Sequence, residues 1–446
     1  MRTPGDRDNA AARDVGSRRR WPRLPRPGWP NLVEADESLD VSGDQACWHA
    51  FGQRGSLAEW RYNVARLAVG NSRLVLALSA AFAAALIEPA NAESGGIHLR
   101  GASSTGKSTA LIMAGSVWGG GARGGYVRSW RATANGLEGV ALAHCDALLC
   151  LDELSQVPAR EAGEVAYMLG NGSGKSRSTR EGGIRPAAHW RVLFLSSGEL
   201  LLADKIVEDG RGRRAAAGQG VRLIDLPADA GVGKGLFEEL HGFESADAFS
   251  RHVKTASASS YGVAARAFLR RIAGELEDVR GAVNGYSRQF VADHAPEAAD
   301  GQVVRVAQRF ALIGTAGEIA VGVGVLPWEP GEAVQAAARC FRDWMEARGG
   351  CEPAEIKDGI EQVRSFIAAH GMSRFVPAWD EGGPQQIVRD VAGYRKRVGD
   401  AWDCYVTPSA WKDEGCKGFA GCTIVAALSE RQWLVSPEVG ATARVW

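Results

Sequence analysis

The chain has 446 residues, of which 45% are apolar and 23% charged, the makeup of a folded protein of about two to four domains, not of a fibrous or disordered one. Its 52 basic and 52 acidic side chains cancel, which excludes a global field that draws it to nucleic acid or membrane and leaves such binding to local basic patches. Cysteines at 47, 145, 150, 340, 351, 404, 416 and 422 are scattered with no C-x-x-C pair, which argues against a disulfide frame or a zinc site and for thiols in a reducing cytoplasm.

Residues 1–40 include Arg18-Arg19-Arg20-Trp21-Pro22-Arg23, too charged and proline-rich to pack a core, and read as a disordered basic arm. The arm is either a solvated linker or a non-specific nucleic-acid contact in which arginines meet phosphates while Trp21 and Trp29 stack on bases. No apolar stretch of signal-peptide type follows Met1, so a cytoplasmic location is expected. Residues 41–92 read as a helical lead-in, with Asn71 or Ser72 a helix cap. Leu74–Ile87 is about fourteen residues, short of the ~20 that span a bilayer, and reads as a buried core helix with no membrane role.

Residues 93–245 carry the most specific signal. Gly101-Ala102-Ser103-Ser104-Thr105-Gly106-Lys107-Ser108 is a complete phosphate-binding loop (Walker A) between a short strand, Ile97–Arg100, and a helix, Thr109–Val117. Glycines let backbone N–H groups of Gly101, Ser104, Thr105, Gly106, Ser108 and Thr109 close around phosphate oxygens, Lys107 adds a cation, and the Ser108 hydroxyl suits Mg²⁺. Tyr126–Ser129 reads as a second strand and Thr133–His144 as a helix capped by Thr133. Ala147–Leu151 is then a continuous apolar run ending in Asp152-Glu153, a strand buried on both faces with a Walker B tip. There Asp152 serves the Mg²⁺ shell and Glu153 orients the attacking water; an ordinary solvated strand end is the plain alternative.

Val192–Leu195 is another buried strand, and in glutamate-base ATPases a strand of this kind lies between the Walker A and Walker B strands. Its tip residues Ser196 and Ser197 are candidate sensors of the γ-phosphate, against a simple strand-end turn. Val221–Pro227 supplies a fifth strand, and the whole reads as an α/β P-loop NTPase with a parallel sheet and helices on both faces. Arg211-Gly212-Arg213-Arg214 is either a solvated loop or the source of an arginine finger, Arg214, for a neighbouring copy, which makes the active particle a homo-oligomer. Gly170–Arg177 imitates a second phosphate loop, but Leu169 stands where its first glycine belongs and no strand feeds it. Its Lys175 and Arg177, with Arg180, suit either a nucleic-acid hairpin or a solvated one.

Residues 246–375 show helical periodicity throughout and read as a helical lid, on which Arg305 and Arg309 are either second-sensor arginines or solvated ones. Residues 376–446, through Arg389–Arg397, Trp411–Glu414 and Val425–Arg431 to the strand signals Trp433–Val435 and Ala443–Val445, fit a small winged-helix-like module.

On these residues the chain resembles a bacterial family of uncharacterised proteins from phage- and plasmid-like elements, described as helicase-like or as inactivated helicase derivatives. The likeness rests on Leu67–Arg73, His98–Gly101, Ser103–Thr109, Trp130–Glu138, Leu151–Gln156, Leu195–Glu199, Gln219–Pro227, Arg309–Ala311 and Cys340–Trp344, and covers about residues 55 to 440. Fuller members are longer at the N-terminus, some with primase-like regions, so the chain resembles their C-terminal half and the resemblance implies no primase activity. Since Lys107, Asp152 and Glu153 are all present, an active rather than inactivated core is expected. The leading expectation is an ATP- and Mg²⁺-dependent helicase or translocase acting on single-stranded or forked DNA. An ATP-gated adaptor or loader is the alternative, and a purely structural nucleotide-binding protein is disfavoured by the glutamate.

Overall fold

The computed structural model describes residues 49–120, 125–178, 184–185, 187–210, 217–297, 299–350, 352–378, 389–399, 401–435 and 444–445. The basic arm and Arg211–Arg214 lie outside them.

The lead-in begins with a capping box: the Ser56 Oγ accepts from the Glu59 N–H (3.2 Å) and the Glu59 carboxylate accepts from the Ser56 N–H (2.7 Å), starting helix α1 (Leu57–Asn63). Helix α2 (Ser72–Ala83) is buried all round, as its alanine-rich apolar sequence requires. One flank lies on the sheet and the helix after the phosphate loop, the other on the two long helices α11 (Gly301–Gly322) and α12 (Glu332–Arg348).

The sheet contains β1 (Gly95–Arg100), β2 (Arg128–Ser129), β3 (Leu148–Asp152), β6 (Leu193–Gly198) and β7 (Leu223–Pro227) in the order β2-β3-β6-β1-β7, all parallel. β6 thus lies between the phosphate-loop strand and the acid-tipped strand. Its crossover helices are α3 (Lys107–Gly115), α4 (Ala134–Ala143), α5 (Ala159–Asn171), α6 (Leu202–Val207) and α7 (Ala217–Arg222). A short hairpin, β4 (Arg177–Ser178) with β5 (Ile184–Arg185), precedes β6. β2 is shorter than its sequence suggests because Tyr126 turns inward, donating its hydroxyl to the Leu148 carbonyl.

Alternation along the strands divides two cores. Leu148 and Cys150, Leu193 and Leu195, Ile97 and Leu99 enter the core that holds α2, α3 and the long helices. Leu149, Leu151 and Phe194 enter the other, under α4, α5 and α6. Gly96 lies on the second face with no room for a side chain: a Cβ there would sit 2.4 Å from the Phe194 ring.

Beyond β7 come α8 (Ala246–Ser259), α9 (Val263–Ile272), α10 (Leu276–His294), α11 and α12, helical as the periodicity suggests. The second-sensor reading of Arg305 and Arg309 does not hold. Arg309 is buried beneath the amino end of β1, donating to the Val221 (2.5 Å) and Ser94 (3.1 Å) carbonyls, and Arg305 pairs with Glu93 at 2.5 Å. Both lie at the end of the sheet opposite the phosphate loop, because α11 crosses the strands' starting edge.

The C-terminal segment begins earlier than residue 376. Helix α13 (Ala354–His370), placed with the lid by sequence, packs Ile360 and Val363 against Ile424, Ala427 and Leu428 of α15 (Gly421–Glu430), in a core separate from the main one. A mixed sheet joins them, with β8 (Phe375–Pro377), β9 (Gly393–Val398), β10 (Ala401–Val406), β11 (Leu434–Val435) and β12 (Arg444–Val445) in the order β11-β12-β10-β9-β8. A short helix, α14 (Pro408–Ala410), precedes α15.

Gly95 fixes the seat of Arg309, since a Cβ there would lie 2.3 Å from the guanidinium carbon. Gly95→Ala is therefore expected to cost about 2 kcal/mol, read as a lowered urea midpoint at unchanged slope.

Candidate active site

Three side chains, those of Ser108, Asp152 and Ser197, meet at the carboxyl edge of the central strands, beside Lys107 and Glu153. The loop leaving β1 turns through Ser104 (φ +63°) and Gly106 (φ +101°), and the helix α3 opens on Lys107. No side chain fits at Gly106: a Cβ would lie 2.8 Å from the Phe237 ring in a backbone conformation that disfavours one. The Lys107 ammonium folds across the loop, donating to the carbonyls of Gly101 (2.8 Å) and Ala102 (2.5 Å), with Thr105 Oγ1 at 3.4 Å. Thr105 closes the loop from its other side, donating to the Ala102 carbonyl at 3.0 Å.

Ser108, one residue into α3, lies 3.2 and 3.3 Å from the two oxygens of Asp152 at the end of β3. The same carboxylate accepts from the Ser197 hydroxyl of β6, and Ser197 Oγ in turn accepts from the Glu153 N–H (3.3 Å). Glu153 itself has left-handed backbone (φ +66°) as the chain turns out of the strand, and its carboxylate accepts from Ser155 at 2.5 Å. Thr109 is fully buried, its hydroxyl 2.7 Å from Ser250 of α8 and its N–H donating to the Gly106 carbonyl (3.0 Å), so it braces the start of α3 and, against the sequence reading, does not turn to the phosphate side.

The sequence-derived residues therefore do not all converge. Lys107, Ser108, Asp152, Glu153 and Ser197 come together, whereas Ser196 faces the other side of the sheet, as period-two alternation dictates. There it is fully buried; it accepts from Trp130 Nε1 (2.8 Å) and contacts His98 Nδ1 (2.8 Å), while His98 Nε2 meets the Leu200 carbonyl (3.1 Å). A carbonyl only accepts, so Nε2 carries the proton and Nδ1 accepts from the Ser196 hydroxyl. Burial pushes His98 down to about 4, which keeps the ring neutral near pH 7. On the same face burial raises Asp225 of β7 to about 7, an effect the Leu202 N–H and then Arg100 partly offset. Arg214 lies outside the described residues. Lys175 is paired with Glu164 at 2.5 Å.

The donor set suits a hard divalent cation: a hydroxyl and a carboxylate, all oxygen, on rigid elements. The loop with its positive-φ turn and following helix suits phosphate.

Sequence reasoning missed the segment after β7. Ala228 N–H donates to the Arg100 carbonyl (2.7 Å) and Leu236 N–H to the Thr105 carbonyl (2.8 Å), so residues 228–237 lie along the phosphate loop as a strap. Asn71, the cap of α2, makes no side-chain cap bond; its amide accepts from the Glu238 (2.8 Å) and Glu239 (3.1 Å) N–H groups and donates to the Glu239 carbonyl (2.9 Å). The alternate glycines 231, 233 and 235 were the available signal.

A family model described as a domain of unknown function, DUF927, matches residues 31–189, which include the phosphate loop and the Asp152-Glu153 tip. No curated protein matches the sequence. Among solved structures the chain is similar to SCCmec type IV Cch, described as an active helicase, with TM-score 0.67 and 18% identity over 94% of this chain and 77% of that one. Identity that low shows a shared fold and nothing finer. A second match, NtrX from Brucella abortus in complex with ATP, has 14% identity over 65% of this chain and 60% of that one, and its TM-score of 0.19 carries no argument.

Two expectations separate the adjacent serines and the histidine. Ser196→Ala strands two buried polar groups, Trp130 Nε1 and His98 Nδ1, and is expected to cost about 2 kcal/mol in urea unfolding; Ser197→Ala, whose partner Asp152 keeps Ser108, is expected to cost less. Because the folded His98 resists protonation, its contribution to stability is complete above its unfolded value of 6.5 and is lost as pH falls from there toward 4. Midpoints measured across that window should fall less steeply in His98→Asn than in the parent.

Proposed function

We propose that the chain is a Mg²⁺-dependent ATP hydrolase of helicase or translocase type, acting on DNA of a phage- or plasmid-like element. The observation that carries this reading is the meeting of Ser108, Asp152 and Ser197 beside Lys107 and Glu153, on three strands in the order β3-β6-β1. A purely structural nucleotide site has no use for a second carboxylate, Glu153, next to Asp152 at the tip of β3.

In this reading the N–H groups of residues 104–108 hold the β-phosphate, and Lys107 moves from the loop carbonyls to the β- and γ-phosphates. Mg²⁺, when bound by Ser108 and Asp152, neutralises charge on the transferred group. Ser197 keeps Asp152 oriented and fixes the Glu153 N–H, and thereby the start of the turn that carries the Glu153 carboxylate. Glu153 then accepts a proton from the water that attacks the γ-phosphorus, as the bond from that phosphorus to the β–γ bridging oxygen breaks and ADP leaves with the electron pair. Arg214, or another arginine of 211–214, is the proposed finger from an adjacent copy, and the particle is proposed to be a homo-oligomer working in the cytoplasm.

The helices α8–α12 are proposed as the lid, and the segment from α13 onward as a winged-helix-like DNA contact. Its β9–β10 hairpin exposes Lys396 and Arg397 beside Arg395, whose guanidinium stacks 5.0 Å from the Trp402 ring. Arginine on an aromatic ring beside further cations suits phosphates and unstacked bases.

Phosphate release with no DNA and with single-stranded, double-stranded or forked DNA tests the motor reading. Single-stranded or forked DNA is expected to raise turnover, and Lys107→Ala to lower kcat/KM for ATP by about a hundredfold or more. DNA that neither binds nor changes turnover would sink the motor reading and leave the ATP-gated loader.

A further inference from the structure

The strap after β7 is built more firmly than a connection between a strand and a helix requires. Its tip is closed by Ala230 N–H donating to the Gly235 carbonyl (2.9 Å), and Asp229 Oδ1 accepts from the Gly231 N–H (2.8 Å). Gly231, Gly233 and Gly235 have φ of +79°, +75° and +66°, conformations in which side chains are disfavoured. Gly235 also admits no Cβ, since one would lie 2.7 Å from the Thr105 carbonyl. Lys234 folds back, its ammonium donating to the Glu238 carbonyl at 3.0 Å. What the tip presents outward is Val232, a branched apolar side chain that is 48% exposed.

The far side of the strap is clamped to the helical layer. Arg73, 1% exposed, pairs with Asp343 (2.7 Å) and donates to the carbonyls of Pro227 (3.3 and 3.2 Å) and Asp229 (3.2 Å). Arg339 pairs with Glu238 (2.6 Å) and donates to the Ala230 carbonyl (2.9 Å), while Glu238 also accepts from the Ser72 N–H and hydroxyl (2.5 and 2.7 Å). Nothing in this network touches Lys107, Asp152 or Glu153.

The sheet order says what such a strap is for. Asp152 and Glu153 lie on the β6–β3 side of the phosphate loop, so a triphosphate with its γ-phosphate facing them extends its other end toward the β7 side. The strap covers that side, docked on Thr105 and Gly106. We infer that residues 229–236 form the seat for the nucleoside end of a nucleoside triphosphate, with Val232 as the apolar contact for the face of the base. This rests on reading Gly101–Ser108 as the triphosphate site. A flat base laid against a branched aliphatic side chain removes apolar surface from water on both partners. The shape-fixed backbone beneath it lowers the ordering cost of binding.

Equilibrium binding of Mg-ATP and of inorganic tripolyphosphate to the full chain tests the seat. Val232→Asp places a carboxylate against the base and is expected to weaken ATP about tenfold while leaving tripolyphosphate unchanged. Equal affinities for parent and variant, or equal losses for both ligands, would overturn the seat while leaving the triphosphate site standing. A parent chain that binds neither ligand would overturn the triphosphate reading and the seat with it. Val232→Trp gives a second readout: beyond the parent's response, its emission should change with ATP and stay unchanged with tripolyphosphate. An equal change with both, or none with either, would contradict the contact.

Discussion

The site depends on the register between β3, β6 and β1. β1 pairs Leu99 with Ser197, and β6 pairs Ser196 with Leu151, which sets Asp152 one step further along on the face that Ser197 shares. A strand's side chains alternate faces, so a slip of one residue would send Ser197 into the core under α5 and bring Ser196 to the carboxylate. The slip is blocked on the buried face by Phe194 filling the space over Gly96, and by the Trp130–Ser196–His98 bonds, which only this pairing satisfies. The polar network on one face thus holds Ser197 and Asp152 on the other in place without contacting them.

Around that sheet the helical layers bind the site to distant parts of the chain. α2, buried on all sides, lies between α3 and the long helices α11 and α12, so the helix that opens on Lys107 is packed into a three-layer core. The buried Arg73–Asp343 pair and the Arg339–Glu238 pair join α2 and α12 to the segment lying on the phosphate loop. A charge as deeply buried as Arg73 is tolerable only when its hydrogen bonds are satisfied, and here they go to carbonyls, a hydroxyl and one carboxylate.

The parallel sheet was legible in the sequence because long apolar runs ending in polar tips have few other readings, and so were the helices α3 and α4, whereas α5, α6 and α7 were not read. The place of β6 between β1 and β3 was expected from likeness to glutamate-base ATPases, since the pattern of apolar runs gives no strand order. What could not be read were long-range choices. Arg309 and Arg305 look like any helix arginines in sequence, and only the path of α11 across the starting edge of β1 shows them structural. The adjacent serines looked equivalent until strand alternation assigned each a face. Asn71 has the sequence of a helix cap, yet a partner 167 residues away in the chain wins its side chain. The strap's alternate glycines resembled an ordinary loop because nothing local ties them to Thr105.

In the proposed reaction Glu153 acts on water while the loop at Lys107 holds the nucleotide. Measuring ATP affinity and single-turnover phosphate release side by side in Glu153→Gln and the parent, with Mg²⁺ present, separates these two roles. Affinity is expected to be retained and release to slow by about a hundredfold or more. Release at the parent rate, or loss of ATP binding with the fold intact, would contradict the assignment.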